Sequence, residues 1–147
     1  MARARTLKPR TLKPRTLKQR VERRIIRKHD DVFLPKEFRD LGGEDQVLRA
    51  LRGLVEDGRL IRLGYGVYAR AIHSRMTGRT MVDSANGFSS AVRQALTKLG
   101  VPWEPTESER AYNDGSSTQV PATPAVRVKG RFQRRLSDGR TELRIER

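Results

Sequence analysis

Gln46, Arg49 and Arg52 stand three residues apart in the stretch GEDQVLRALRGLVEDGRLIRLGYGVYAR, residues 43–70. On an α-helix that spacing lines the three side chains up on one face. An arginine presents a fork of donors that matches the acceptor edge of guanine, and a glutamine pairs in the same two-point manner with adenine. A second arginine one turn away can hold a phosphate while the first reads a base. Val47, Leu48, Leu51, Leu54 and Val55 recur between them at helical period. They predict an apolar face turned inward and a polar face of Asp45, Gln46, Arg49, Arg52 and Gly53 turned to solvent. Glu44 and Asp45 suit the positive end of the helix dipole but repel phosphates. Charge pairing within the helix is therefore an open alternative for both arginines.

The elements around this face follow from local signals. Asp57-Gly58 closes the helix, because glycine takes the left-handed conformation at a helix end without a Cβ penalty. Leu60, Ile61 and Leu63 then read as a strand, Gly64-Tyr65-Gly66 as a turn and Val67-Tyr68 as the returning strand. Tyr65 at the tip is a candidate contact to a sugar or phosphate, or simply a turn residue. Upstream, Leu17, Val21 and Ile25 share one helical face, and Asp30-Asp31 is expected to end that helix. Val32-Phe33-Leu34 is a short apolar run, and Pro35 suits the first turn of a second helix that closes at Gly42-Gly43. The predicted order over 16–71 is helix, short strand, short helix, helix, hairpin. That is the layout of a winged helix-turn-helix, with 43–57 as the recognition helix and Phe33, Phe38 and Leu41 closing a small core.

The formal net charge is +15, and its placement carries more meaning than its total. Residues 1–28 hold 12 Lys and Arg and one acid, residues 29–70 are close to neutral, and residues 71–147 carry a smaller excess. Residues 5–19 repeat Arg-Thr-Leu-Lys-Pro, with Gln19 in place of the third proline. A five-residue period containing proline cannot continue as a helix. Residues 1–15 therefore read as a flexible basic arm whose Arg3, Arg5, Lys8, Arg10, Lys13 and Arg15 suit the phosphates of double-stranded DNA. A solubilising tail or a simple sequence duplication are the alternatives.

Beyond the hairpin, residues 72–81 show no period and read as a linker or an irregular crossing. From Val82 the helical period returns, with Ala85, Phe88, Val92, Leu96 and Leu99 on one stripe. Residues 103–125 are expected to be loop with short extended pieces, and Val126 and Val128 alternate as in a strand. Residues 134–145 read as a β-hairpin about Asp138-Gly139, a strong short turn signal. Arg127, Lys129, Arg131, Arg134 and Arg135 form a second basic cluster. The expected fold class is α+β: a winged helix-turn-helix over 16–71, then a small α+β unit over 82–147.

Several functions find no support. Cysteine is absent, and His29 and His73 are the only histidines, so neither a disulfide nor a metal site is expected. No stretch approaches the length of a membrane span, and no apolar segment follows the basic N-terminus. A cytoplasmic, nucleoid-associated protein without membrane contact is expected. Glu104, Glu107 and Glu109 cluster with Tyr112, Asn113, Asp114 and the hydroxyls of Ser116-Ser117-Thr118. No histidine or glycine-rich phosphate loop accompanies them, so neither catalysis nor a cofactor is expected. A basic RNA-binding accessory protein is the rival class, although stacking aromatics are few.

The pattern Asp31-Val-Phe33-Leu-Pro35, Phe38-Arg-Asp40-Leu-Gly42, Val47-Leu-Arg-Ala50-Leu51, Leu54-Val-Glu-Asp-Gly58, Ile61-Arg-Leu-Gly-Tyr-Gly66-Val67-Tyr68 resembles the winged-helix domain of AbiEi-type antitoxins. The likeness continues through Leu99-Gly-Val101, Ala111-Tyr-Asn113, Ser117-Thr-Gln119-Val-Pro121 and Val128-Lys-Gly130. The resemblance implies a repressor that binds inverted repeats in its own promoter; a monomer or weak homodimer on DNA is expected. It also implies opposition to a nucleotidyltransferase-like toxin of a type IV toxin–antitoxin system. The basic pentapeptide arm and the short C-terminal part depart from that pattern.

Overall fold

The computed structural model describes residues 15–84, 87–115 and 124–146. Their architecture is α+β, with helices packed around two sheets. Helix α1 (Leu17–Arg27) leads through strand β1 (Val32–Phe33) and a 3₁₀ turn (Pro35–Phe38) to helix α2 (Glu44–Glu56). Strands β2 (Leu60–Gly64), β3 (Val67–His73) and β4 (Thr80–Val82) follow. Helix α3 (Gly87–Lys98), strand β5 (Trp103–Pro105), helix α4 (Glu107–Asn113) and strands β6 (Ala125–Val128) and β7 (Arg144–Glu146) complete the order.

The start of α1 depends on the one residue in which the third repeat copy differs from its fellows. Gln19 Oε1 accepts from the Thr16 N–H at 2.9 Å, and Thr16 Oγ1 accepts from the Gln19 N–H at 3.2 Å. Replacing proline by glutamine thus removes a helix breaker and completes a reciprocal cap. The helix stops at Arg27, before Asp30-Asp31, and Lys28 is already extended. Arg70 secures this end by donating to the carbonyls of Ile25, Lys28 and Asp30.

The sheet of β1, β3 and β2 is antiparallel, and its two faces serve two cores. Because successive strand residues point to opposite faces, Phe33, Leu60 and Tyr68 turn toward α1 and α2. There they meet Val21, Ile25, Phe38, Val47, Leu51 and Leu54, while Leu48 is only half-buried. Val32, Leu63, Val67 and Ala69 turn the other way, against Phe88, Val92 and Leu96 of α3 and Val126, Val128, Leu136 and Leu143. The sheet is covered on both sides.

The second half departs from several sequence expectations. Residues 72–81 are not an irregular crossing: β3 runs to His73 and pairs with β4, Ile72 opposite Met81, around a turn with Gly78 at φ +70°. The strand was hidden because both of these apolar residues remain exposed, so no alternation marks it. Val82 belongs to β4, and α3 starts at Gly87. In 103–125, β5 is one of the expected short extended pieces, whereas α4 replaces part of the expected loop. Thr106 caps α4 by accepting from the Glu109 N–H at 3.2 Å, a Thr-x-x-Glu start that is legible in the sequence. Asp138-Gly139 does turn, with Asp138 Oδ1 accepting from Arg140 and Thr141, and the expected hairpin over 134–145 is shortened to 136–143. Ser137 bridges Glu142, the Asp138 N–H donates to the Thr141 carbonyl and the Leu143 N–H to the Leu136 carbonyl. Beyond these contacts its arms find other partners: β7 joins β6 in parallel, and residues 134–137 run to the tip of the β2–β3 hairpin.

Candidate nucleic-acid interface

Helix α2 places Gln46, Arg49 and Arg52 on its exposed face, with Val47, Leu51 and Leu54 buried on the opposite one. None of the ion pairs among the described residues uses Arg49 or Arg52. Internal charge pairing, the structural alternative for these two side chains, is thus not made within that part of the chain. Both residues are exposed, and among the described residues no carboxylate takes up their guanidinium donors, which suit an anion or a base edge.

The face is flanked by the first turn of α1. Thr16, Leu17 and Lys18 of α1 and Gln46, Arg49, Ala50, Arg52, Gly53 and Glu56 of α2 line an open groove of about 910 Å³. Gly53 is where the helices approach: a Cβ there would lie 3.3 Å from the Lys18 side chain. Lys18 in turn reaches Asp57 at 2.5 Å. Arg15 is exposed and adjoins the cap residue Thr16, which lines this groove. Arg3, Arg5, Lys8, Arg10 and Lys13 lie outside the described residues.

The turn that leads into α2 is fixed to α1 by charge. Arg24 donates to both carboxylate oxygens of Asp40, at 2.6 and 2.7 Å, and to the Glu37 carbonyl at 2.9 Å. Hydrogen bonds from Arg24 hold the Asp40 carboxyl at about 2, well below its ordinary 3.8. Glu37 binds Lys28 at 2.8 Å, Lys98 at 2.8 and 3.0 Å and the Leu34 N–H at 2.7 Å. Burial alone would push the Glu37 carboxyl up, but the donors from Lys28, Lys98 and Leu34 outweigh it and hold it below its ordinary value. Lys98 also binds Asp30 at 2.7 Å and sits 5.2 Å from the Phe33 ring centre. Lys98 belongs to α3, so the segment preceding α2 is anchored from both sides of the sheet.

At the hairpin tip Tyr65 is 79% exposed, a large apolar side chain left at the surface. Gly66 beside it has φ +68°, which the tight turn requires. Arg62 is exposed and donates to the Gly64 carbonyl at 3.2 Å. Arg62, Lys18 and Arg134 are cations near the candidate residues that sequence reasoning did not assign there. Arg134 meets Tyr65 across a separation of 69 residues, which no local pattern can announce.

Two of the three glutamates weighed as catalytic groups, Glu104 and Glu109, are engaged in ion pairs, and Glu107 is exposed. Glu104 pairs with Arg110 at 3.0 Å, and Glu109 pairs with Arg93, whose guanidinium lies 5.2 Å from the Trp103 ring centre. Ser116, Ser117 and Thr118 lie outside the described residues. Among the described residues no group of His, Asp and Glu side chains is arranged to hold a metal ion. No helix there is long and apolar enough to cross a membrane. Compared with known protein families, with curated proteins and with solved structures, the chain matches none.

Proposed function

We propose that the chain is a sequence-specific, double-stranded DNA-binding repressor of winged helix-turn-helix type. In this reading α2 is the recognition helix, β2 and β3 are the wing and the N-terminal arm follows the phosphates. One observation carries it: Gln46, Arg49 and Arg52 share the exposed face of α2, and among the described residues neither arginine enters an ion pair. Polar face, groove rim and exposed hairpin tip together offer base-reading, phosphate-binding and sugar-contacting groups. We further propose the antitoxin role that the resemblance implies, with a nucleotidyltransferase-like toxin as partner, and no catalytic activity. A gene encoding such a toxin beside this one is the expected genomic signature, and its absence removes the antitoxin part alone.

Selection from a random duplex library, followed by titration of the selected site, tests the DNA reading. Arg49→Ala is expected to weaken binding to that site by about 1–3 kcal/mol and to relax preference at one base pair. Gln46→Ala is expected to act in the same direction. If both variants retain the site with unchanged affinity, α2 is not the recognition helix. Single-stranded RNA bound more tightly than the duplex at matched salt moves the chain to the rival class of RNA-binding accessory proteins.

A further inference from the structure

Residues 134–137 lie against the tip of the β2–β3 hairpin. The Ser137 N–H donates to the Leu63 carbonyl at 2.8 Å, and the Arg134 guanidinium donates to the Tyr65 carbonyl. Leu136 is buried in the core shared with Leu63 and Val67. Gly64 makes the approach possible, since a Cβ there would stand 2.6 Å from the Arg135 carbonyl oxygen. The segment therefore docks on backbone groups and a missing side chain, and it carries two arginines to a place that already holds Arg62 and Tyr65.

The Arg135 side chain is 76% exposed, and its pairing with Glu142 at 2.7 Å is solvent-accessible, with half of the Glu142 side chain exposed. Such a pair is weak and exchanges readily for a stronger anion. Arg134 spends one nitrogen on the Tyr65 carbonyl, and a guanidinium has five N–H donors to distribute. We propose that Arg134 and Arg135 are a phosphate-binding extension of the hairpin, contacting the backbone of duplex DNA beside the α2 footprint. The chemistry is the planar fork of arginine on phosphate oxygens, which gives affinity without sequence preference. Arg135 acts by direct contact. Arg134 does so as well, and it also positions the tip that displays Tyr65. This inference rests on the DNA-binding reading and adds a second, distant part of the chain to the interface.

Fluorescence anisotropy of the full chain on a random-sequence duplex, over a series of salt concentrations, tests it. Arg135→Gln, at an exposed side chain, is expected to lower the slope of log K against log salt by about 0.9, with a several-fold loss of affinity at fixed salt. Arg134→Gln is expected to lose more, because the tip is released together with the charge. Gly64→Ala removes no charge, yet it is expected to lose as much as Arg134→Gln and Arg135→Gln combined, by driving residues 134–137 off the hairpin. Thermal melts monitored by circular dichroism verify that each variant is folded. Arg135→Gln alone decides the matter should either of the others unfold. An Arg135→Gln protein with the wild-type slope and affinity overturns the proposal. If Arg49→Ala still relaxes preference in that case, the recognition reading stands without it. A wild-type chain that binds no duplex ends both. A loss confined to a poly-glutamate competitor assigns the patch to an acidic protein and also overturns it.

Discussion

Glu37 receives donors from Lys28 at the end of α1, from Lys98 of α3 and from its own turn at Leu34. A carboxylate so supplied is more acidic in the folded chain than its ordinary 4.5. The unfolded chain therefore binds the proton more readily, and folding is favoured wherever that carboxyl is ionised. The contribution is fully present above the ordinary value and is lost as pH falls through the lower folded value. Asp30 and Asp40, also held below their ordinary values, lose theirs in the same direction. Glu37→Gln is expected to reduce stability at neutral pH and to flatten its decline below about pH 5, measured by denaturant unfolding across an acid pH series. A variant whose profile merely parallels the wild type contradicts this account.

At the scale of elements, the short strand β1 depends on a side chain from α3. Gln94 Oε1 accepts from the backbone N–H groups of both Asp31 and Val32, each at 2.7 Å. Val32 is fully buried and Asp31 half-buried, so these donors have poor access to replacement water. Gln94→Ala is expected to cost about 1–3 kcal/mol, the penalty of leaving buried donors unmade. The amides of Asp31 and Val32 should exchange faster with deuterium, ahead of those in α2. Uniform exchange across both segments would instead place the loss in the packing of α3 as a whole. The same contact explains why two residues suffice for β1: one edge pairs with Ala69 and Tyr68 of β3, and α3 supplies an acceptor for the donors that begin the strand.

For the whole molecule, the central sheet joins two cores, one beneath α1 and α2 and one beneath α3 and the C-terminal strands. Thr16 caps α1 with its own hydroxyl, so the start of the helix draws on no residue before it. Deleting residues 1–15 is therefore expected to leave the melting temperature nearly unchanged. Binding to the selected site and to a random duplex should weaken by similar factors. The salt slope should fall by about 0.9 for every phosphate that the shortened chain no longer neutralises. A much larger loss on the selected site would mark an arm that reads a minor groove. Unchanged affinities and slope would leave it a solubility tail.

The sequence by itself determined the elements whose signals are local. Helices α1, α2 and α3 are written in apolar residues three and four apart, and the β2–β3 hairpin in its glycine-bounded tip. Gln46, Arg49, Arg52 and Tyr65 could be chosen as candidates because helix period and turn position already separate exposed from buried faces. The α+β class followed from the same local signals. Only the tertiary structure decided where residues 71–147 go. Strand β4 is apolar on a face that stays exposed, and β7 chooses a parallel partner in β6 over the arm of its own turn. Arg134 and Arg135 were legible as basic residues and not as companions of Tyr65. Their place is set by the space at Gly64 and by a carbonyl 69 residues away, and nothing within a helical turn or a strand pair encodes such a distance.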